Sequence, residues 1–273
     1  MSLDLSRPVL LVGAGKMGGA MLSGWLDAGL SPNLIHVQDP NPSPEMAARL
    51  EGLGIRPVAE ADRSLDPAIV VLAVKPQTID AVLPGLAPLV GEGTVVVSIA
   101  AGKTLAGLEA KLPSDAAVIR AMPNTPAAIG QGVIVACAND TVTSEQRQHC
   151  DLLLQAGGTV LWLEEETGMD AVTALSGSGP AYVFLLTECM AQAGVSLGLA
   201  PELAAELARE TVAGAGALMQ ESALPPGQLR ENVTSPQGVT AAALDVLMAD
   251  DGLEALMRRA MAKAAKRSEE LST

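Results

Sequence analysis

Through the first 164 residues, short apolar runs alternate with longer stretches whose apolar residues recur at helical spacing. Continuous runs rich in Val, Ile and Leu are typical of strands buried on both faces of a sheet. We predict strands in the segments PVLLVGAG, LIHVQD, AIVVLAV, GTVVVSIA, AAVIRAM, QGVIVACAN and TVLWLEE. Helical spacing lies between most of them, for example in KMGGAMLSGWLDAG and SEQRQHCDLLLQAG. This alternation predicts an α/β domain over residues 1–164, built on a doubly wound parallel sheet with right-handed crossovers.

From Thr167 onward the strand pattern stops, and helical patterns continue to the end of the chain. The segments that favour helix are MDAVTALSGSGPAYVFLLTECMAQAG, PELAAELARETVAGAGALMQES and GVTAAALDVLMADDGLEALMRRAMAKAAKRSEEL, interrupted by LPPGQ. Four small residues, Ser176 to Gly179, interrupt the first of these segments, and their size permits another helix to approach closely. We therefore predict an all-α second domain over residues 165–273.

Charge and composition exclude several classes of partner. The formal net charge is −14 and the pI is near 4.5, so a phosphate backbone would be repelled and we predict no nucleic-acid partner. The longest charge-free runs carry Ser, Gly and Pro, which predicts no membrane span. The first residues lack the basic-then-apolar order of a signal peptide. The scattered Cys137, Cys150 and Cys189 form no CxxC pair and are typical of reduced thiols, so we predict a cytoplasmic protein without a metal site.

The apolar content also bears on assembly. Apolar residues make up 49% of the chain, yet it has only two Trp, one Tyr and one Phe. The core must therefore be built from Ala, Val, Leu and Met. So much apolar surface in an acidic chain indicates that part of it is buried between subunits.

One glycine-rich turn, GAGKMG, follows the first predicted strand and opens the first predicted helix. This context is typical of a dinucleotide-binding site, because Gly13 permits the tight turn, Gly15 lets the backbone approach a pyrophosphate and Gly18 lets helix and strand pack closely. Asp39 stands at the end of the second predicted strand, where a carboxylate accepts the ribose 2′-OH of NADH and repels a 2′-phosphate. Two simpler interpretations stay open: GAGKMG as an ordinary turn, and Asp39 as a turn residue in DPNPSP.

A second feature is the segment NVTSPQGVTAAAL, where small polar residues open directly into a predicted helix. Backbone donors at a helix start suit an anion, but no Lys, His or Cys stands among them. Reduction of a ketone requires a proton donor as well as hydride. His36 lies in a predicted strand, His149 on a predicted outer helix, and Tyr182 in an apolar stretch, so a structural role is favoured for each. An iminium substrate needs no such donor, because it already carries its proton.

At this point the motifs resemble those of one family. The segments VGAGKMG, LAVKPQ, SIAAG, RAMPNTPA, LSGSGPAY and NVTSPQGVTAAAL occur in the order found in pyrroline-5-carboxylate reductases, and the resemblance runs from about residue 8 to residue 268. It implies reduction of 1-pyrroline-5-carboxylate to L-proline with NADPH or NADH, the last step of proline biosynthesis. It also implies a Rossmann domain followed by a helical domain that interlocks into a homodimer, with many family members assembled further into decamers.

The resemblance assigns residues as well. Those implied to line the cofactor are Val12, Gly13, Ala14, Gly15, Lys16, Met17, Gly18, Ala73, Val74, Lys75, Pro76, Ile99, Ala100, Ala101 and Asn232. Those implied to bind substrate are Glu166, Ser235, Gly238, Val239 and Thr240. Thr240 matches the family threonine that hydrogen-bonds the ring nitrogen, and is our catalytic candidate. Three structural alternatives stay open: a salt-bridged strand end for Lys75, and helix caps for Thr240 and Glu166.

Two positions depart from the family pattern. Gln237 stands where relatives usually have Gly, and Asp39 stands where NADPH-preferring relatives usually carry small hydroxyl residues, which favours NADH here. Two other functions share parts of this pattern. The β-hydroxyacid dehydrogenases share the predicted plan but need a lysine on the first long helix, and this chain has none between Lys111 and Lys263. A nucleotide-sensing protein without catalysis predicts loss of Ser235, Gly238 and Thr240, and all three are present.

Overall fold

The structure is a computed structural model and describes residues 5–272. The chain divides into two compact units. The first holds the residues up to Gly177 together with those from Ala264 onward, and the second spans Ser178–Lys263. The domain boundary predicted after residue 164 follows the last strand of the sheet and stays a prediction.

The first unit is built on a sheet of seven strands in the order β2-β1-β3-β4-β5-β6-β7. The strands are β1 Val9–Val12, β2 Ile35–Gln38, β3 Ile69–Leu72, β4 Val95–Ser98, β5 Ala117–Met122, β6 Gly132–Ala138 and β7 Gly158–Trp162. The strands β1, β3 and β4 are buried along their whole length, as the continuous apolar runs predict. The order reverses at β1, which lies between β2 and β3.

One strand corrects the prediction of an entirely parallel sheet. β6 runs antiparallel to β5, while the neighbouring pairs from β2 to β5, and β6 with β7, are parallel. Only residues 123–131 connect β5 to β6, and they contain the short 3-10 helix Thr125–Ile129. A parallel crossover needs about a dozen or more residues, usually with a helix, so this connection can only return the chain antiparallel.

Helices cover both faces of the sheet. They are α1 Lys16–Asp27, α2 Pro44–Gly52, α3 Pro76–Leu86, α4 Leu105–Glu109 and α5 Ser144–Gln155. One core contains Trp25 of α1, Leu50 of α2 and Leu153 of α5, and the other contains Leu83 of α3 and Leu108 of α4. The prediction of a doubly wound α/β domain is therefore confirmed.

Beyond the sheet the chain is helical, as predicted. The helices are α6 Met169–Val172, α7 Gly179–Ser196, α8 Pro201–Glu221, α9 Pro226–Asn232, α10 Val239–Leu247 and α11 Leu253–Leu271. A π-helical turn, Thr173–Gly177, separates α6 from α7. Two details differ from the sequence pattern: a short helix, α9, begins at the second proline of LPPGQ, and the long C-terminal segment breaks between α10 and α11. No helix in residues 5–272 is long and apolar enough to cross a membrane.

The second unit has almost no interior within one protomer. Its buried residues are Ala204 and Ala208, both on α8, and α7 buries none. Large apolar side chains are exposed instead, among them Phe184 at 65% and Leu207 at 48%. Within one protomer, the helices of this unit therefore leave most of their large apolar side chains exposed to solvent.

Candidate active site

The glycine turn after β1 has the geometry that its sequence predicts. Gly13 has a φ of +94°, and a Cβ placed on it would lie 2.7 Å from the Cγ1 of Val74. A Cβ on Gly18 would lie 2.1 Å from the carbonyl oxygen of Gly13, so helix α1 can pack this closely only with glycine there. A Cβ on Gly15 would meet nothing within 4 Å. Gly13 and Gly18 are therefore required by the packing of the protein itself, whereas Gly15 leaves open space beside the turn.

Three turns that the sequence assigned to the cofactor lie side by side at the carboxyl edge of the sheet. Gly13 N donates to Gln38 O over 2.9 Å, Ala73 N donates to Val12 O over 2.8 Å, and Ile99 N donates to Leu72 O over 3.0 Å. These bonds tie the ends of β2, β1, β3 and β4 together in strand order. Ligands of open α/β sheets bind at this edge, where the strand order reverses.

A groove of about 680 Å³ runs beside the glycine turn, with Gly15, Lys16, Asp39, Asn41 and Arg49 in its lining. Asp39 is held firmly there. Its Oδ2 accepts a hydrogen bond from Ala14 N over 2.8 Å, and its Oδ1 accepts one from Asn41 N over 3.0 Å. Asp39 is therefore a turn residue, because its carboxylate orders the DPN turn, and it also lines the groove beside the glycine turn. Its contact with a ribose hydroxyl stays a prediction.

The residues present fit a dinucleotide. Helix α1 begins at Lys16 and no side chain caps its first amides, which leaves donors and the positive end of the helix dipole for phosphate. Gly15 provides the clearance that backbone contact with a pyrophosphate requires.

The remaining cofactor-lining candidates of this unit occupy the neighbouring turns. Lys75 is exposed directly before α3, which begins at Pro76, and it makes no ion pair with any residue in 5–272. The structure thus gives no support to a salt-bridged strand end. After β4, Ile99 and Ala100 are buried and Ala101 is exposed. Ala101 is the member of this turn that is open to a ligand.

Glu166 is part of a buried ion pair. Its Oε1 accepts hydrogen bonds from Arg120 Nη1 over 2.6 Å and from Leu105 N over 2.9 Å. The Arg120 side chain is 4% exposed and that of Glu166 is 25% exposed. Glu166 therefore caps α4 rather than the first long helix. Its other oxygen, Oε2, makes no hydrogen bond to any described residue and stays available to a ligand.

Burial and this ion pair also affect a neighbouring thiol. Cys137 faces Arg120 across the β5–β6 pair. Burial, with a smaller contribution from the Glu166 carboxylate, raises the pKa of Cys137 to about 11. The thiol is therefore protonated and unreactive at neutral pH.

Asn124 joins two motifs that sequence reasoning left without a role. Its Nδ2 donates to the carbonyl oxygen of Ser176, in the π-turn, over 3.2 Å, and its Oδ1 accepts from Val133 N over 2.9 Å. A π-turn shifts the helical bonding pattern by one residue, and Asn124 binds a carbonyl of that turn. Arg120 and Asn124 were absent from the predicted site residues, although an arginine inside the apolar run AAVIRAM was a usable signal.

The TSPQG segment leads into α10 in the second unit. Gln237 adopts a φ of +59°, the only positive φ of a non-glycine residue in the described chain. Gly238 N donates to Ser235 O over 3.0 Å and Gly238 is the N-cap of α10, with no side chain bonding the first amides. Thr240 does not cap the helix. The amides of Val239 and Thr240 precede the first intrahelical bond and are free donors.

The other side chains of this segment are accessible as well. Ser235 and Thr240 are exposed, and Val239 is 91% exposed. Asn232 ends α9, and its Oδ1 accepts from Gln228 Nε2 over 3.1 Å. The second unit therefore presents hydroxyls, free amides and a carboxamide on one short stretch, residues 232–240. This stretch contains no His, Lys or Cys.

The histidines lie elsewhere. His149 lines a cavity with Ala68, Thr94 and Ala117, which mark the amino ends of the strands, opposite the glycine turn. His36 lines a separate groove with Arg56 and Asp66. Neither histidine lines the groove beside GAGKMG.

Both units are similar to those of known proteins. The family model of pyrroline-5-carboxylate reductase dimerisation matches residues 166–271, and a model described as NADP oxidoreductase, coenzyme F420-dependent, matches residues 8–102. The pyrroline-5-carboxylate reductase of Pseudomonas aeruginosa is 42% identical over 271 residues, which are 98% of either chain. The chain belongs to the pyrroline-5-carboxylate reductase family.

Solved pyrroline-5-carboxylate reductases share the whole fold. The structure from Coxiella burnetii superposes with a TM-score of 0.91 at 34% identity and covers 98% of this chain and 100% of its own. The structure from Plasmodium falciparum, solved with NADP bound, superposes with a TM-score of 0.82 at 28% identity, covering 98% and 99%. The dimerisation model, together with the exposed apolar helices, indicates that this member of the pyrroline-5-carboxylate reductase family self-associates. The match of residues 8–102 to the NADP oxidoreductase model indicates a nicotinamide cofactor.

Proposed function

We propose that the protein reduces 1-pyrroline-5-carboxylate to L-proline, with NADH as its preferred cofactor. The observation that carries this proposal is the uncapped start of α10, with Ser235 and Thr240 exposed on it, in a chain similar over its full length to pyrroline-5-carboxylate reductases. This stretch offers what a cyclic imino acid requires, an anion site and an acceptor for its ring N–H.

The first unit holds the cofactor in this proposal. The amides at the start of α1 bind the pyrophosphate, and Gly15 gives it access to the backbone. The turns after β3 and β4, with Lys75 and Ala101 exposed, line its further course. When bound, the reduced nicotinamide supplies the hydride.

The second unit holds the substrate. The free amides of Val239 and Thr240, aided by the Ser235 hydroxyl, bind the carboxylate. The Thr240 hydroxyl accepts a hydrogen bond from the protonated ring nitrogen and so orients the imine carbon. No residue of the chain has to donate a proton, which agrees with the distance of both histidines from the glycine turn.

Preference for NADH rests on Asp39. Its carboxylate lines the groove beside the glycine turn and is fixed by two backbone donors. A carboxylate held there accepts a charge-assisted hydrogen bond from a ribose hydroxyl and repels a 2′-phosphate.

The assembly we propose is a homodimer that interlocks through the helical unit, with decamers as a further level of assembly. The exposed apolar side chains of α7 and α8 support it. The described cysteines are all unpaired, which supports a reducing compartment and therefore the cytoplasm.

The decisive experiment follows NADH absorbance after addition of pyrroline-5-carboxylate. We expect stoichiometric oxidation of NADH and formation of proline. Tight NADH binding without turnover would instead favour a nucleotide-sensing protein. Activity should fall as pH rises past the pKa of the imine, and the fall should persist in folded His36→Gln, His149→Gln and Tyr182→Phe variants. Loss of several orders of magnitude in one of these, with both ligands still bound, would refute the donor-free mechanism.

A further inference from the structure

The turn after β4 is held from two sides by segments outside the sheet. The turn runs from Ile99 to Gly102 and leads into α4. On one side, Leu105 N at the start of α4 donates to Glu166 Oε1 over 2.9 Å, and Arg120 fixes the same oxygen. Thr104 is the N-cap of α4, and Glu166 fixes the next amide, so Glu166 helps to hold the start of α4 and with it the end of the turn.

On the other side lies the C-terminal end of α11. Gly102 is buried with a φ of +76°, and a Cβ placed on it would lie 2.9 Å from the carbonyl oxygen of Leu271. The backbone of the last helical turn therefore rests directly on the turn after β4. Glycine is needed at this position both for the φ and for the close approach.

The two supporting segments are joined to each other. Asp170 of α6 accepts hydrogen bonds at Oδ1 from Ser268 Oγ over 2.5 Å and from Ser272 Oγ over 3.3 Å. Ser268 is only 7% exposed and is one of few buried polar residues in the described chain. A buried hydroxyl bonded to a carboxylate specifies one docked position for the helix end.

These two segments are also the two connections of the helical unit. The chain leaves the first unit after Gly177 and returns to it at Ala264. We propose that Asp170 and Ser268 are positioning residues that clasp these connections together and hold the Ile99–Gly102 turn in its cofactor-binding form. The proposal rests on the proposed function, because that function places the cofactor against this turn.

The clasp predicts a selective defect. Ser268→Ala and Asp170→Ala each remove a buried hydrogen bond, so the Kd of NADH should rise roughly three- to tenfold. Truncation after Arg267 removes Ser268, Ser272 and the backbone of Leu271 that rests on Gly102. The Kd of NADH should then rise by about tenfold or more. In each variant kcat at saturating NADH and the KM of the imine should stay within about twofold, because a cofactor-positioning defect is compensated by excess cofactor.

The measurement is NADH binding to the full-length protein by fluorescence, with light scattering to verify assembly. Asp170→Asn keeps an oxygen acceptor for Ser268 and should bind NADH almost as the original chain does. Glu270→Ala, which removes only an exposed ion pair with Arg267 on the same helical turn, is the matched control. Because binding needs no turnover, a chain that binds NADH but does not reduce the imine fails the proposed function and leaves this test intact.

The proposal is overturned if Ser268→Ala and Asp170→Ala, still assembled, bind NADH within about twofold of the original chain. It is equally overturned if these variants lower only the melting temperature, since that is the signature of a purely structural contact. If the truncated chain does not fold, the two point variants decide.

Discussion

The two units of the molecule treat apolar surface in opposite ways. The sheet unit buries it within one protomer, in a continuous core on each face of the sheet. The helical unit buries only two alanines and leaves Phe184, Leu207 and many other large side chains exposed. A unit that buries so little surface cannot offset its conformational entropy by itself, so its stability must depend on self-association. We therefore expect the sheet unit to be stable within one protomer and the helical unit to need a second copy.

The largest expected effect tests this difference directly. Phe184→Glu places a charge on the exposed apolar surface that we expect a second copy to cover, and should cost roughly 3 kcal/mol, about a hundredfold in dimer affinity. Leu83→Ala in the sheet core should cost about 2–5 kcal/mol of unfolding free energy by creating a cavity. Sedimentation and thermal unfolding over a range of protein concentrations distinguish the two: only the first effect should depend on concentration. A Phe184→Glu protein that stays dimeric would contradict the view that the exposed apolar surface of the helical unit is covered by a second copy.

The next effect divides the proposed reaction between the units. Thr240→Ala in the helical unit should lower kcat by about ten- to a hundredfold, because a hydrogen bond to a charged group is worth roughly 1.5–3 kcal/mol. The Kd of NADH should stay unchanged, since Thr240 is assigned to the substrate and not to the cofactor. Steady-state kinetics and NADH binding on one preparation supply both values. Thr240→Ser, which keeps the hydroxyl, is the matched control and should retain most activity.

Asp39→Asn is the counterpart in the sheet unit. Asparagine keeps an oxygen acceptor for Ala14 N but removes the charge, so kcat/KM for NADPH relative to NADH should rise about tenfold. Asp39→Ser tests the contribution of the hydrogen bond from Ala14 N, which the shorter serine side chain cannot accept. This variant should also weaken the binding of NADH. Comparison of kcat/KM for the two cofactors measures the shift. A clear NADPH preference in the original chain would refute the assignment.

The smallest expected effect separates the thiols of the two units. Cys137 of the sheet unit ionises in the unfolded chain near its ordinary pKa of 9.0, whereas burial raises its pKa in the folded protein to about 11. Unfolding therefore releases a proton from Cys137 between these values, so the contribution of Cys137 to stability is complete below pH 9 and declines as pH rises, by about 1 kcal/mol at pH 10. Burial also raises the pKa of Cys150, which adds to the decline of the original chain. Denaturant unfolding at pH 8 and pH 10 measures it. Cys137→Ala should show a smaller decline, and Cys189→Ala, at an exposed site of α7, the same decline as the original chain.

Much of this architecture was predictable because local patterns and tertiary structure agree. The buried strands are continuous apolar runs in the sequence, and GAGKMG lies between a strand and a helix as its glycine spacing predicts. The direction of β6 was not predictable from its apolar pattern, since a buried strand has the same residues in either direction. The length of the connection after β5 was the signal that decides it.

The residues missed by sequence reasoning share a physical cause. Arg120, Asn124, Asp170 and Ser268 act through partners far along the chain, and no periodicity within one element reports such a pair. Gln237 is the converse case. It stands where relatives usually have Gly, and its φ of +59° accounts for that preference while showing that glutamine can adopt this backbone conformation.

By itself the sequence determined the alternation of elements, the glycine turn, the family and the types of residue available for binding. These follow from local pattern and local chemistry, which each segment carries alone. Only the tertiary structure decided that Asp39 bonds Ala14, that Glu166 is paired with a buried arginine, and that the end of α11 rests on Gly102. Such contacts depend on where separate segments meet, because a side chain's role is set by the partners that folding brings within hydrogen-bonding distance.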